Sequence, residues 1–263
     1  MNTSDTTGAV KSPDYGIDAP GVIRNLFIVA VVGFLLWMAM ILGWWSGDLA
    51  GFGVRLPLGH IAIWPAGTCL LMAVWMLWDS RIGKMRNREQ LLDAVRWTGT
   101  ERVLDVGCGR GLMLVGAAKR LTTGTASGID LWQAEDLSGN RPEATIENAK
   151  SEGVADRVDV QTADMRKIPF PDGTFDVVVS CSAIHNIYDA PGRRQAIAEI
   201  ARVLKPGGEA VIDDIRHGRE YAQGFAANGC TSKSIGSSVI AVFLAILTMG
   251  SLRPATLLVR KKA

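Results

Sequence analysis

Val103-Leu104-Asp105-Val106-Gly107-Cys108-Gly109-Arg110-Gly111, running on into Leu112-Met113-Leu114-Val115, is the stretch that decides the fold. Its apolar, partly β-branched start predicts a strand that ends near Asp105. Three glycines at alternate positions break the strand, and Leu112, Leu114, Val115 and Ala118 then restart an apolar pattern at helical spacing. A glycine turn between a strand and a helix lets backbone N–H groups approach a ligand closely, because no Cβ blocks them. The dinucleotide fingerprint is G-x-G-x-x-G. Here the third glycine comes one residue early and a carboxylate precedes the loop, which disfavours a nicotinamide-dependent enzyme.

Outward from this loop, strands are expected near 102–106, 125–130, 157–162, 175–180 and 209–215, with helical stretches between them. Such alternation predicts an α/β fold: a doubly wound, mostly parallel, Rossmann-like sheet covered by helices on both faces. Ligands of these sheets lie beyond the carboxyl ends of the strands. Asp105, Asp130, Asp164, Ser180 and the pair Asp213-Asp214 all fall at those ends and are expected to converge on one crevice.

The D-x-G-x-G-x-G form of residues 105–111 resembles motif I of the class I S-adenosylmethionine (SAM)-dependent methyltransferases. Later segments fit the same family in the same order: Gly128-Ile129-Asp130-Leu131, Ala163-Asp164-Met165, Phe170-Pro171-Asp172-Gly173 feeding an apolar strand, and Glu199 to Ile212, which reads EIARVLKPGGEAVI, a helix, a Pro-Gly-Gly turn and another strand. The resemblance covers roughly residues 86–263. It implies SAM as the cofactor. Gly107, Gly109 and Gly111 would pack against its methionine portion, with Asp105 either orienting the loop or touching the ligand. Asp130, with Leu131, would hold the ribose, a carboxylate accepting from both hydroxyls at once. Asp164 and Met165 would meet the adenine, and Ser180 closes the set. The family also implies a C-terminal antiparallel strand pair, and Ala255-Thr256-Leu257-Leu258-Val259-Arg260 reads as its last strand.

Methyl transfer asks an enzyme for alignment, exclusion of water and, for some acceptors, removal of a proton. The groups near the expected acceptor pocket are His185, Tyr188, Asp214 and His217. His185 follows the fourth expected strand and His217 the fifth. Each is a catalytic candidate and each equally a helix-start residue, so the sequence assigns no base. No cluster with metal-ligand spacing is present in the sequence. Net charge is +2 among 28 basic and 26 acidic residues, with no basic stripe interleaved with aromatics, which argues against nucleic acid. The four cysteines are scattered without a C-x-x-C pair, which suggests neither zinc nor a disulfide framework and fits a reducing compartment.

Mean hydropathy is +0.18, and the apolar excess is concentrated upstream of the enzyme domain. Residues 1–21, rich in Thr, Ser, Asp, Gly and Pro, read as a disordered tail. Leu26 to Trp45 and Leu56 to Trp78 are free of charge, and twenty helical residues span about 30 Å, the hydrocarbon thickness of a bilayer. Six of the eight tryptophans lie between residues 37 and 78, several at the ends of the runs, where rings sit at headgroup level. A membrane hairpin over 22–78 is therefore expected, with transmembrane helices about 24–45 and 57–78, then a linker helix over 79–97 and a methyltransferase domain over 98–263. Arg81, Lys84, Arg86 and Arg88 follow the second run, against a lone Arg55 in the loop, which puts the tail and the enzyme on the cytoplasmic side. His60, near the loop end, reads as an interfacial residue.

Ser234 to Leu252 is uncharged and long enough for a third span. That span would carry the last strand to the wrong side, so a β-hairpin with an enlarged apolar connection is expected instead. The functional expectation is a membrane-anchored methyltransferase acting on a small, lipophilic acceptor such as a quinone, lipid or hydrophobic thiol, with the lipid bilayer as partner. The alternatives are the same chemistry on a soluble molecule, or a SAM-binding scaffold without turnover.

Overall fold

The computed structural model describes residues 12–46, 48–51, 54–236, 242 and 252–263. The chain divides into two compact units: residues 1–15, 85–133 and 139–263 form the first, and residues 16–84 with 134–138 form the second.

In the second unit, helix α1 (Pro20–Ile41) starts on a proline, whose missing N–H costs nothing in a first turn. Strands β1 (Leu49–Gly51) and β2 (Val54–Leu56) form a short antiparallel ribbon where a plain loop was expected. Helices α2 (Leu58–Ile61) and α3 (Ile63–Trp78) follow. Pro65, in the first turn of α3, is tolerated for the same reason as Pro20. Small residues form the contact between α1 and α3. A Cβ on Gly33 would sit 2.8 Å from the Ala62 carbonyl oxygen and from the Ala66 methyl, and Ala30 and Ala73 are buried nearby in their helices. The remaining faces are covered with exposed Ile, Val, Leu, Phe and Trp side chains. Pro20–Ile41 and Leu58–Leu92 are both long and apolar enough to cross a membrane, with 11% of each apolar window buried.

The linker expected over 79–97 is not a separate helix. A π-helical turn (Asp79–Gly83) joins α3 to α4 (Lys84–Leu92), which stops five residues short of Trp97. The expected tail over 1–21 is likewise corrected. Residues 1–11 lie outside the described residues, but 12–19 have defined partners. Tyr15 is 6% exposed and donates to Glu152 at 2.6 Å, while Asn148 both accepts from the Asp14 N–H and donates to the Asp14 carbonyl. In the second unit Asp18 bridges Leu137, and Ser80 donates to the Asp18 carboxylate at 3.0 Å.

The first unit carries a seven-stranded sheet built from β3 (Arg102–Val106), β4 (Thr125–Asp130), β5 (Val158–Thr162), β6 (Phe175–Cys181), β7 (Leu204–Asp214), β8 (Cys230–Ile235) and β9 (Ala255–Lys261). Its order is β5-β4-β3-β6-β7-β9-β8, parallel except where β9 pairs antiparallel with β7 and β8. The central strands read as near-continuous apolar runs because both faces are covered. Leu104, Val106, Val178 and Ile212 face a core shared with α7 (Ala190–Val203) and α8 (Gly218–Ala227), contributed by Ile197, Ile200, Tyr221 and Phe225. Val103, Val177, Val179 and Val211 face Leu91 and Leu92 of α4, Met113 and Val115 of α5 (Leu112–Ala118), and Ala149 of α6 (Pro142–Ser151).

One element differs in form. The Pro-Gly-Gly expected as a turn before the fifth strand lies inside β7, which begins at Leu204, and the pairing with β6 shifts register between Phe175 and Val177. A step of five residues along β7, from Leu204 to Glu209, runs against a step of two along β6, from Phe175 to Val177, and this irregularity absorbs the difference without ending the strand. The C-terminal strand pair is present, while VIAVFLAIL over 239–247 lies, except for Val242, outside the described residues.

Candidate active site

The glycine loop leaves β3 and folds back onto β4: the Ile129 carbonyl accepts from the N–H groups of both Gly107 (2.9 Å) and Cys108 (3.1 Å). Gly107, Gly109 and Gly111 have φ of 75°, 51° and 84°, a region where a Cβ is strained. Space is also closed. A Cβ on Gly107 would overlap the Ala183 methyl, and one on Gly111 would lie 2.7 Å from Thr145 Cγ2. The loop is held from α6 as well, where Thr145 donates to the Gly109 carbonyl (2.7 Å) and Asn148 to the Arg110 carbonyl (2.9 Å). Asp14 pairs with Arg110 at 2.8 Å.

Asp105 and Asp130 face this loop in contrasting states. Asp105 is buried and neither of its carboxylate oxygens makes a full hydrogen bond; the Leu114 amide gives only weak relief. Burial, with the Asp130 charge adding to it, pushes the Asp105 carboxyl up to about 8. Asp130 is well supplied, accepting from Gly109 N (2.8 Å), Trp132 N (2.6 Å) and Asn140 Nδ2 (3.3 Å). Asn140 Oδ1 is buried without a partner. Leu131 is exposed beside it.

The remaining expected ligand residues divide. Met165 reaches the loop, its Cε 3.5 Å from where a Gly107 Cβ would stand. Asp164 is bound by Arg166, whose Nε and Nη2 donate to its carboxylate at 3.0 and 2.6 Å, and this holds the Asp164 carboxyl below its usual range. Ser180 is buried and donates to the Val106 carbonyl at 2.8 Å, tying the ends of β6 and β3 together.

On the acceptor side, the turn after β6 carries His185, and Asp214 closes β7. His185 Nδ1 lies 2.5 Å from Asp214 Oδ1, and the His185 N–H donates to Oδ2 at 3.0 Å. The Tyr221 hydroxyl and the Ile215 N–H also donate to Asp214, at 3.1 and 2.8 Å. Burial, then the Asp214 charge, raises the Tyr221 hydroxyl far above its ordinary value, so it stays a donor. His217 is elsewhere in the network. It precedes α8 with φ 63°, its Nδ1 is 3.5 Å from Glu220 Oε2, and burial followed by the Arg193 charge lowers its pKa. Tyr188 is 97% exposed and does not join His185, although Arg193 holds its backbone carbonyl at 2.9 Å. Trp132, Ser182 and His217 are non-glycine residues at positive φ, and each follows a strand's carboxyl end. Such strain gathers where structure over-determines a site. No cluster of three or more metal-ligating side chains occurs among the described residues.

Asn140, Thr145, Asn148 and Tyr221 were not expected at the site. Thr145 and Asn148 leave a trace, since they are polar residues three apart on the buried face of a helix otherwise built for solvent. The other two show no local signal.

A family model described as a methyltransferase domain matches residues 103–208. An uncharacterized methyltransferase of Mycobacterium bovis (strain ATCC BAA-935 / AF2122/97) is 30% identical over 167 residues, covering 60% of this chain and 74% of the relative. A ubiquinone/menaquinone biosynthesis C-methyltransferase of Geobacter sulfurreducens is 34% identical over 128 residues, covering 48% of this chain and 46% of the relative. The fold is shared with a solved geranyl diphosphate methyltransferase in complex with SAM, at TM-score 0.52 and 21% identity, covering 68% of this chain and 85% of that one. The chain spans about half the length of the first curated relatives it matches, 43% to 48% of each. With the glycine loop, Asp105, Asp130 and Asp164 inside the matched region and a relative covered over 74% of its length, the chain belongs to the class I SAM-dependent methyltransferase family.

Proposed function

We propose that this chain is a membrane-anchored SAM-dependent methyltransferase whose acceptor is a small, lipophilic molecule drawn from the bilayer. The observation that carries the enzymatic part is the crevice at the strand ends. There, a loop with three left-handed glycines meets a buried, unpartnered carboxyl at Asp105 and a preorganised one at Asp130. These groups fit SAM. Gly107, Gly109 and Gly111 admit the methionine portion, Asp105 meets its positive charge, Asp130 accepts from the ribose hydroxyls, and Met165 packs near the base. Asp164, engaged by Arg166, contributes through its backbone and its remaining acceptor capacity. Ser180 supports the floor. Bound there, SAM supplies an electrophilic methyl group on a sulfonium. The chain's own part is to align the acceptor and to exclude water.

The lipophilic acceptor is supported by the exposed apolar faces of Pro20–Ile41 and Leu58–Leu92, which match lipid better than water. Tethering raises the effective concentration of bilayer-dissolved substrates at the site. The relative from Geobacter sulfurreducens, named for quinone biosynthesis, points the same way. Arg81, Lys84, Arg86 and Arg88, just after the second apolar run, support a cytoplasmic enzyme domain.

After alkaline carbonate extraction of host membranes, the full chain is expected in the pellet, and a reporter fused after Ala263 is expected to read as cytoplasmic. Release into the supernatant would remove the spanning helices from the proposal. An external reporter would invert the topology.

A further inference from the structure

We propose that His185 is the general base of the transfer, held in its reactive tautomer by Asp214, and that the acceptor it serves is a proton-bearing oxygen, phenolic or enolic. This rests on the methyltransferase function above and names the substrate class for it.

Hydrogen-bond accounting fixes the tautomer. Asp214 is buried at the end of β7, and every other partner it has is a donor: Ile215 N–H on Oδ1, His185 N–H and the Tyr221 hydroxyl on Oδ2. A carboxyl receiving three donors is an acceptor throughout, so the contact at 2.5 Å requires a proton on His185 Nδ1. The neutral ring then carries its lone pair on Nε2. Among the described residues Nε2 makes no hydrogen bond, and the side chain is 18% exposed, so the ring is not sealed in the core. The turn that carries the ring also borders the glycine loop. Ala183, two residues before His185, packs against Gly107 of the glycine loop.

The base has a definite task. As the acceptor oxygen forms its bond to the methyl carbon, the S–CH3 bond breaks with its electron pair going to sulfur. The O–H proton passes to Nε2, and the resulting imidazolium faces the Asp214 carboxylate. A thioether, which loses no proton on methylation, would leave this arrangement idle. Asp214 and Tyr221 are positioning residues. Around the pair stand Asp213 beside Asp214 on β7, Tyr221 and Glu220 on α8, His217 before it, and Arg193 on α7, which is ion-paired with Glu220 at 2.8 Å.

Two measurements on the full chain in detergent test the proposal. The chain has three histidines, so ring 15N resonances can be assigned with His185→Gln as reference. At mildly alkaline pH, without ligand, His185 should show a protonated Nδ1 and a bare Nε2, and Asp214→Asn should lose that preference. The second uses methyl-labelled SAM and para-substituted phenols sharing one alkyl tail but differing in acidity. His185→Gln should leave SAM affinity unchanged, lower kcat by about 100-fold or more on the least acidic phenol, lose less on the most acidic, and abolish the acid limb of the pH profile. A proton on Nε2, or an equal loss across the series with the acid limb intact, would overturn the proposal. So would labelled product that is not an O-methyl ether. Absence of both SAM binding and label transfer in the unsubstituted chain would instead sink the methyltransferase function itself.

Discussion

Gly107→Ala is expected to lower SAM affinity by about 100-fold or more and to cost the fold roughly 2–4 kcal/mol. Two effects add at this position. Its φ of 75° costs an L-residue about 1–2 kcal/mol. The new methyl would also overlap that of Ala183, and the overlap cannot be relieved cheaply. On one side, the Gly107 N–H is fixed to the Ile129 carbonyl at 2.9 Å. On the other, Ala183 lies on the turn that presents His185 to Asp214. Either shift moves a wall of the crevice. Gly153→Ala is the control, having φ 72° with nothing within 4 Å of the new Cβ. It should cost about 1 kcal/mol through strain alone and leave SAM binding intact. Chemical denaturation and calorimetry read both variants. Gly107→Ala with unaltered affinity would remove the glycine loop from the cofactor site.

The second large effect concerns Asp105. Its carboxyl, at about 8 in the folded chain against an ordinary 3.8, favours the fold when protonated. Between those values the folded chain keeps a proton that the unfolded chain has released, so stability falls as pH rises and the full cost is present above about 8. Four units correspond to a ceiling of about 5 kcal/mol. Asp105→Asn keeps the shape and removes the titration. The ligand-free variant should therefore be the more stable one at alkaline pH, by a few kcal/mol within that ceiling, with a flatter pH profile. Its SAM affinity should be weaker, because a buried carboxylate is the natural counter-ion for the cationic part of SAM. In the unsubstituted chain near neutral pH, SAM binding should expel the Asp105 proton. Calorimetry in buffers of different ionisation enthalpy reads that release, and Asp105→Asn should abolish it. The neighbouring thiols Cys108 and Cys181 are both pushed well up by burial and do not supply the proton. Buffer-independent heat in the unsubstituted chain would leave Asp105 with a structural role alone.

Much of this architecture is legible in local sequence, and the reason is physical. Asp105 apart, β3 is apolar on both faces up to its glycine turn, β4 stops at the carboxylate of Asp130, and β6 is a run of three valines behind Phe175, so each carries its boundary in its own residues. That is how β3, β4 and β6 fall within a residue or so of expectation. The apolar hairpin is equally plain from composition. What local sequence does not carry is who pairs with whom. Tyr15 looks like part of a featureless tail until Glu152, 137 residues away, accepts its hydroxyl. Asp164 reads as a free ligand until Arg166 turns back onto it, and Ser180 until its hydroxyl donates to the Val106 carbonyl. His185 and Asp214, 29 residues apart, are visible as residue types, but their union is set by the neighbouring strands β6 and β7. The Pro-Gly-Gly of β7 differs for another reason, since the residues that make a turn also serve an irregularity within a strand.

Methyl-labelled SAM supplied to the full chain in lipid nanodiscs, with an organic extract of host membranes in one arm and a soluble metabolite extract in the other, separates a bilayer-derived acceptor from a soluble one. Label is expected in the organic-soluble product of the membrane arm and is lost on Gly107→Ala. Label confined to the soluble arm would contradict a bilayer-derived acceptor, and label in neither arm from a folded, SAM-binding protein would contradict catalysis.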